Sequence, residues 1–134
     1  MLLSYLRYKL FPSKEEKLFT EWYKGLKKGS VKWNTERLPE NTLPMQLRKI
    51  VEEVIEVLDA TNRQQQIKEK ADVLIAIFGL ARFNKVVSLI LEEAFIKICG
   101  DDIKEILLAA GEKMNTLWDR TYLKKGNVYH HIIQ

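Results

Sequence analysis

The chain has 134 residues, 46% hydrophobic and 30% charged, which fits one domain and excludes a disordered or fibrous protein. The formal net charge is only +4, a mild excess that suits an anionic small molecule and falls short of a nucleic-acid footprint. Basic residues are interleaved with acids rather than striped, so no nucleic-acid partner is expected. The longest uncharged apolar run, Val73 to Ala81, has nine residues, against the ~20 of a membrane span. The N-terminus, MLLSYLRYKLF, breaks its apolar run with Arg7 and Lys9 and has no small-residue cleavage site, so it does not read as a signal peptide. The one cysteine, Cys99, has no internal disulfide partner and reads as a buried apolar residue in a reducing compartment. A cytoplasmic protein with no membrane partner is the expectation.

The elements, in chain order, are helices. Ser13 with Glu16 is a capping-box pattern, which predicts a first helix from Lys14 to about Lys28, ended by Gly29 and Ser30. Residues 30–42 hold Pro39 and two Asn without periodicity and read as a loop. Pro44 suits a first helical turn, so a second helix runs from there to about Ala60. Asn62 caps a third, over about Gln64 to Phe83. A further helix covers Lys85 to Ile98 and is ended by Gly100. Asp102 with Glu105 repeats the cap signal and starts a last helix, from Ile103 to about Lys124. The tail from Asn127 gives no clear reading, and no run alternates convincingly with period two. The expected class is all-α, a helical bundle in a single domain over 1–134 with its core in 14–125.

On the second helix, Leu47, Ile50, Val51, Val54 and Leu58 share a stripe expected to face the core, with Glu53 at its edge and Glu56 one turn on. A Glu pair on a helix is ordinarily a solvated face. The third helix differs, because VLIAIFGLA (73–81) offers no polar side chain at any angle and should be buried all round. Glu69 and Asp72 share a face at its N-terminal end. A buried carboxylate is paired, hydrogen-bonded or metal-bound. Arg and Lys partners would satisfy these acids; alternatively, two acid pairs at i, i+3 on consecutive antiparallel helices converge across one contact. Four carboxylates without histidine make an all-oxygen site, suited to Mg²⁺ or Mn²⁺ over zinc. Both histidines, His130 and His131, lie in the tail, which excludes a di-iron Glu-x-x-His bundle.

Glu52-Glu53-Val54-Ile55-Glu56, twelve residues, then Glu69-Lys70-Ala71-Asp72 resembles the EExxE…ExxD signature of the MazG-like all-α nucleoside triphosphate pyrophosphohydrolases, relatives of dCTP pyrophosphatases and dimeric dUTPases. ADVLIAIFGLA (71–81) is similar to the family's apolar helix. Lys113-Met114 with Arg120 resembles its basic motif on the last helix, and Trp33-Asn34 resembles the pair lining the nucleobase pocket of the dCTP-hydrolysing branch. The resemblance covers about 14–83 and 102–122. The chain departs from the pattern at Ile55, where a small residue is common, at Glu52, which is not Glu in the dCTP-type branch, and at Asn115, displaced from its usual place. The segment from Lys85 to Gly100 is an additional helix. Its Glu92-Glu93 pair, with no acid at 96, reads as solvated surface.

The resemblance implies a Mg²⁺-dependent enzyme, with Mn²⁺ as an alternative cofactor, that attacks a (deoxy)nucleoside triphosphate near the α–β linkage and releases a monophosphate and pyrophosphate. Glu53, Glu56, Glu69 and Asp72 would hold metal, with Glu52 and Glu53 as the catalytic acids and Glu52 activating water. Lys113 and Arg120, two helical turns apart, would clamp the phosphates; the other reading is a basic surface. Trp33 would stack on the base and Asn34 read its edge; the other reading is a packing anchor. The Trp33-Asn34 match tilts the substrate towards a pyrimidine deoxynucleotide, in nucleotide-pool house-cleaning. Trp22 and Trp118 read as core or interface. Helices this apolar in a short chain imply a homodimer or homotetramer. The alternatives are a phosphoribosyl-ATP pyrophosphohydrolase and a catalytically inactive helical module that binds nucleotides or protein.

Overall fold

A computed structural model describes residues 13–125 and 128–132, with side-chain surroundings for 13–120. Among them are five α-helices: α1 (Lys14–Arg37), α2 (Leu43–Asp59), α3 (Arg63–Gly79), α4 (Lys85–Cys99) and α5 (Ile103–Leu117). A 3₁₀ turn, Leu80–Arg82, prolongs α3, and another, Gly100–Asp102, leads into α5. The fold is all-α, and α3 is its axis, packed against each of the other four helices. Every residue from Val73 to Leu80 is buried, as an apolar run without a polar face requires. Phe78, Leu74, Leu80, Ile106 and Leu107 are the largest apolar side chains shut off from solvent, which puts the core between α3 and α5. No helix among the described residues is long and apolar enough to cross a membrane.

Local signals set the helix starts. Ser13 and Glu16 form the reciprocal capping box, and Thr42, Asn62 and Asn84 accept the N3 backbone N–H of α2, α3 and α4. Two expected stops do not occur. Helix α1 runs through Gly29 and Ser30 to Arg37, because the Ser30 hydroxyl donates to the Leu26 carbonyl and leaves the backbone ladder intact. Its buried stripe of Leu26, Ser30, Trp33 and Asn34 therefore continues where a loop was expected. Helix α5 stops at Leu117 rather than near Lys124. Thr121–Lys125 and Val128–Ile132 instead form a two-stranded antiparallel hairpin, β1–β2, with Thr121 opposite Ile132 and Lys125 opposite Val128. Those runs are rich in β-branched and aromatic residues, and Gly126-Asn127 between them is the hairpin signal in the sequence.

Two faces are the reverse of expectation. On α2, Leu47, Val51, Val54 and Leu58 are exposed, Ile50 alone of the stripe packs against the core, and Met45, Gln46 and Glu53 are the buried positions. On α4, Glu92 is not solvated surface: it is buried and accepts from Tyr23 Oη at 2.8 Å, Lys27 Nζ at 2.7 Å and Ser88 Oγ at 2.8 Å. Burial and the Glu92 carboxylate push the Tyr23 phenol far above its ordinary range, so it stays a hydrogen-bond donor to Glu92. Glu93 beside it is exposed, as expected. Cys99 is buried, and that burial pushes its thiol upward and away from reactivity.

Candidate metal centre

Helices α2 and α3 are antiparallel neighbours joined by three residues, so the C-terminal half of one lies beside the N-terminal half of the other. That registry brings Glu53 and Glu56 of α2 against Glu69 and Asp72 of α3. One carboxylate oxygen from each lies within 4.8 Å of the other three, an acidic cluster that could hold a metal ion. Glu53 is buried, Glu69 and Asp72 half-buried and Glu56 exposed, so the cluster is anchored in the core and opens outward.

The oxygens are poorly provided for by the protein itself. Glu53 Oε1 pairs with Lys49 Nζ at 2.8 Å, and Asp72 Oδ1 pairs with Lys113 Nζ at 3.6 Å. Glu53 Oε2 and Glu69 Oε2 are buried with no hydrogen-bond partner. Unsatisfied buried carboxylate oxygens are costly, and a hard cation is what would relieve them. Burial pushes the carboxyls of Glu53, Glu56 and Asp72 upward from their ordinary values. The Glu69 carboxyl adds to this at Glu56, while Lys49 opposes it at Glu53 and Lys113 at Asp72. Burial thus makes these three carboxyls harder to ionise than they would be in water. The donor set is all carboxylate, without nitrogen or sulfur, the chemistry of a hard-cation site.

A cavity of about 130 Å³ adjoins the cluster and meets it at Glu53 and Asp72. Trp33, Asn34, Lys113 and Arg120 all line it, so the acid set and the four expected substrate residues occupy one place. Glu52 stands at the same cavity, outside the cluster, with an ion pair to Arg48 at 3.4 Å. Trp33 is both wall and anchor: it is 6% exposed, and its indole N–H donates to the Leu117 carbonyl at 3.0 Å. Arg120 lies beyond the end of α5 rather than on a shared helical face with Lys113, yet the turn after Leu117 returns it to the cavity. Asn115 is exposed and is not among the lining residues. Trp22 and Trp118 are outside the cavity; Trp22 packs edge-on against Phe19, and Arg37 lies over the Trp118 ring.

Sequence reasoning missed the amide cluster that closes the cavity. Asn34 Nδ2 donates to Gln46 Oε1 at 3.0 Å, Asn41 Nδ2 donates to Asn34 Oδ1 and Gln46 Oε1, and Gln46 Nε2 donates to the Ala76 carbonyl at 2.7 Å. Arg82 reaches back to the Asn34, Leu38 and Pro39 carbonyls and holds the end of α1. The only signal for these residues was their polarity beside apolar neighbours, since their partners lie up to 48 positions away. Lys49 was missed too, although its place one turn before Glu53 was visible. Comparison of the chain with protein-family models, curated proteins and solved structures returns no match.

Proposed function

We propose that the protein is a Mg²⁺-dependent (deoxy)nucleoside triphosphate pyrophosphohydrolase of the MazG-like all-α type, with a pyrimidine deoxynucleotide as the favoured substrate. The observation that carries this reading is the junction of the two parts: a four-carboxylate cluster with two orphaned buried oxygens, opening beside a cavity that one aromatic and several cations line. Neither part alone would identify a phosphoanhydride substrate.

A bound divalent cation would supply positive charge at the phosphate oxygens and make nearby water more acidic. Glu53, Glu56, Glu69 and Asp72 would hold it. Lys113 and Arg120 would take the negative charge of the phosphate chain, which phosphoryl transfer needs more than covalent help. Glu52, at the cavity and outside the cation set, would accept the proton of the attacking water. The oxygen of that water bonds to the α-phosphorus, the α–β bridging oxygen leaves, and the products are a monophosphate and pyrophosphate.

The base would lie against Trp33 and the amide cluster. The cavity is near the ~150 Å³ that admits one benzene-sized ring, so its size favours a pyrimidine over a purine. Asn34 and Gln46 each keep a second amide N–H beyond the bonds described above, which suits a base edge that presents acceptors. The test is a panel of dNTPs, NTPs and phosphoribosyl-ATP with Mg²⁺, resolving pyrophosphate from phosphate, for the wild type and Asp72→Ala. Pyrophosphate release, greatest with a pyrimidine dNTP and at least 10²-fold lower in D72A, is the expected result. A folded wild type that binds Mg²⁺ and turns over none of them would make the chain a binding module instead.

A further inference from the structure

Lys49 pairs with one of the acids and lines the same cavity. Its Nζ lies 2.8 Å from Glu53 Oε1, while the other oxygen of the same carboxylate, Oε2, is buried and has no partner. It lines the cavity together with Arg48, Lys113 and Arg120. The two ends of this pair differ in freedom: the Lys49 side chain is 52% exposed and the Glu53 side chain 8%. Glu53 is fixed by packing, whereas the lysine stem has solvent to move through. A Lys one turn before a Glu is also the weaker orientation of an i, i+4 pair. The neighbouring cation is not equivalent, because Arg48 is engaged with Glu52 at 3.4 Å.

We propose that Lys49 is a displaceable counter-ion, which neutralises Glu53 in the cation-free protein, yields that oxygen to the divalent cation, and then binds the phosphate chain of the substrate. The proposal rests on the metal-dependent reading of the site. One ammonium group thus serves two anions in turn. Without it, Glu53 would sit among Glu56, Glu69 and Asp72 with no cation against it. With a divalent ion in place, the lysine charge would repel that ion unless a phosphate draws it away.

A lysine that merely positions Glu53 makes the opposite prediction about metal affinity. Mn²⁺ is titrated into the full chain by electron paramagnetic resonance, without nucleotide, for wild type, Lys49→Met, Lys49→Gln and Lys49→Arg. Inorganic pyrophosphate is then titrated by calorimetry at saturating Mg²⁺. Removal of the competing charge is expected to tighten Mn²⁺ about three- to tenfold in K49M and K49Q, the scale on which one nearby charge shifts a carboxylate's affinity for a cation. The same two variants should bind pyrophosphate about tenfold more weakly, with K49R close to wild type in both titrations. Mn²⁺ binding that is unchanged or weaker in both neutral variants would overturn the proposal, as would unchanged pyrophosphate binding. A wild type that binds no Mn²⁺ would instead overturn the metal reading itself, and the proposal with it.

Discussion

Glu53 carries one oxygen on Lys49 and a second that is buried and unpartnered, so ionising it in the cation-free protein strands part of a charge away from water. Its carboxyl is pushed above its unfolded value of 4.5, mainly by burial, and Asp72 above its value of 3.8 for the same leading reason. A raised carboxyl binds its proton more tightly when folded. Its contribution to stability is then full below the unfolded pKa and is lost as pH rises through the folded one. The cation-free protein is expected to melt at a higher temperature near pH 5 than near pH 7. Saturating Mg²⁺ should reverse the order, because cations and protons compete for the same oxygens. Thermal scans at the two pH values check this, and a larger Mg²⁺ effect at pH 5 would contradict it. Glu53→Gln separates the two demands on the residue: it should leave the cation-free fold as stable or up to about 2 kcal/mol more so, while removing most Mn²⁺ affinity.

At the scale of elements, α3 has to be buried on every side and yet come close to the amide cluster, and Gly79 is where the two meet. A Cβ there would stand 2.6 Å from Gln46 Nε2 and 2.9 Å from Asn34 Nδ2. Both amides are tied to neighbours and cannot simply swing aside. Gly79→Ala should therefore cost about 1–3 kcal/mol despite the higher helix propensity of Ala, and should weaken nucleotide binding without touching the acids. Denaturant melts together with Mn²⁺ titration distinguish this from general loss of fold. The apolar run of α3 and the acid spacing were legible in the sequence because one helix needs no knowledge of its neighbours to show either. The orientation of α2 was not. Periodicity assigned Leu47, Val51, Val54 and Leu58 to one stripe, but which stripe meets α3 depends on Gln46 reaching the Ala76 carbonyl and on Glu53 joining the acids. The length of α1 was hidden for a similar reason. Gly29 and Ser30 look like a stop until Trp33 and Asn34, beyond them, are seen to be buried on the same face. Glu92 likewise reads as surface until Tyr23, Lys27 and Ser88 are placed around it.

The α2 stripe has a consequence for the whole molecule. Leu47, Val51, Val54, Ile55 and Leu58 lie exposed on one face of α2 by their spacing, and Val86, Leu89 and Ile90 are exposed on the first turns of α4. Scattered exposed apolar residues are ordinary, but a band along a whole helix marks a surface that meets another surface. One edge of the α2 band carries both signs of charge, Arg48 and Glu52, so an antiparallel copy of the same helix would set apolar against apolar and leave these charges at the rim. We expect a homodimer through α2, and the exposed Val86, Leu89 and Ile90 of α4 offer the further contact that a tetramer would need. Static light scattering at micromolar concentration should give at least twice the 15.7 kDa of one chain. The double substitution Val54→Lys and Leu58→Lys places two charges in the α2 band and should halve the measured mass. In a protein that is already monomeric, the same two changes would sit in solvent and shift stability by about 0.5 kcal/mol or less, with no change in mass. Since α2 also carries Glu53 and Glu56, separation of the dimer should loosen the helix that supplies half of the acid cluster. A Mn²⁺ affinity that falls with the mass would tie assembly to the site, whereas a mass that falls alone would confine the α2 band to holding the two copies together.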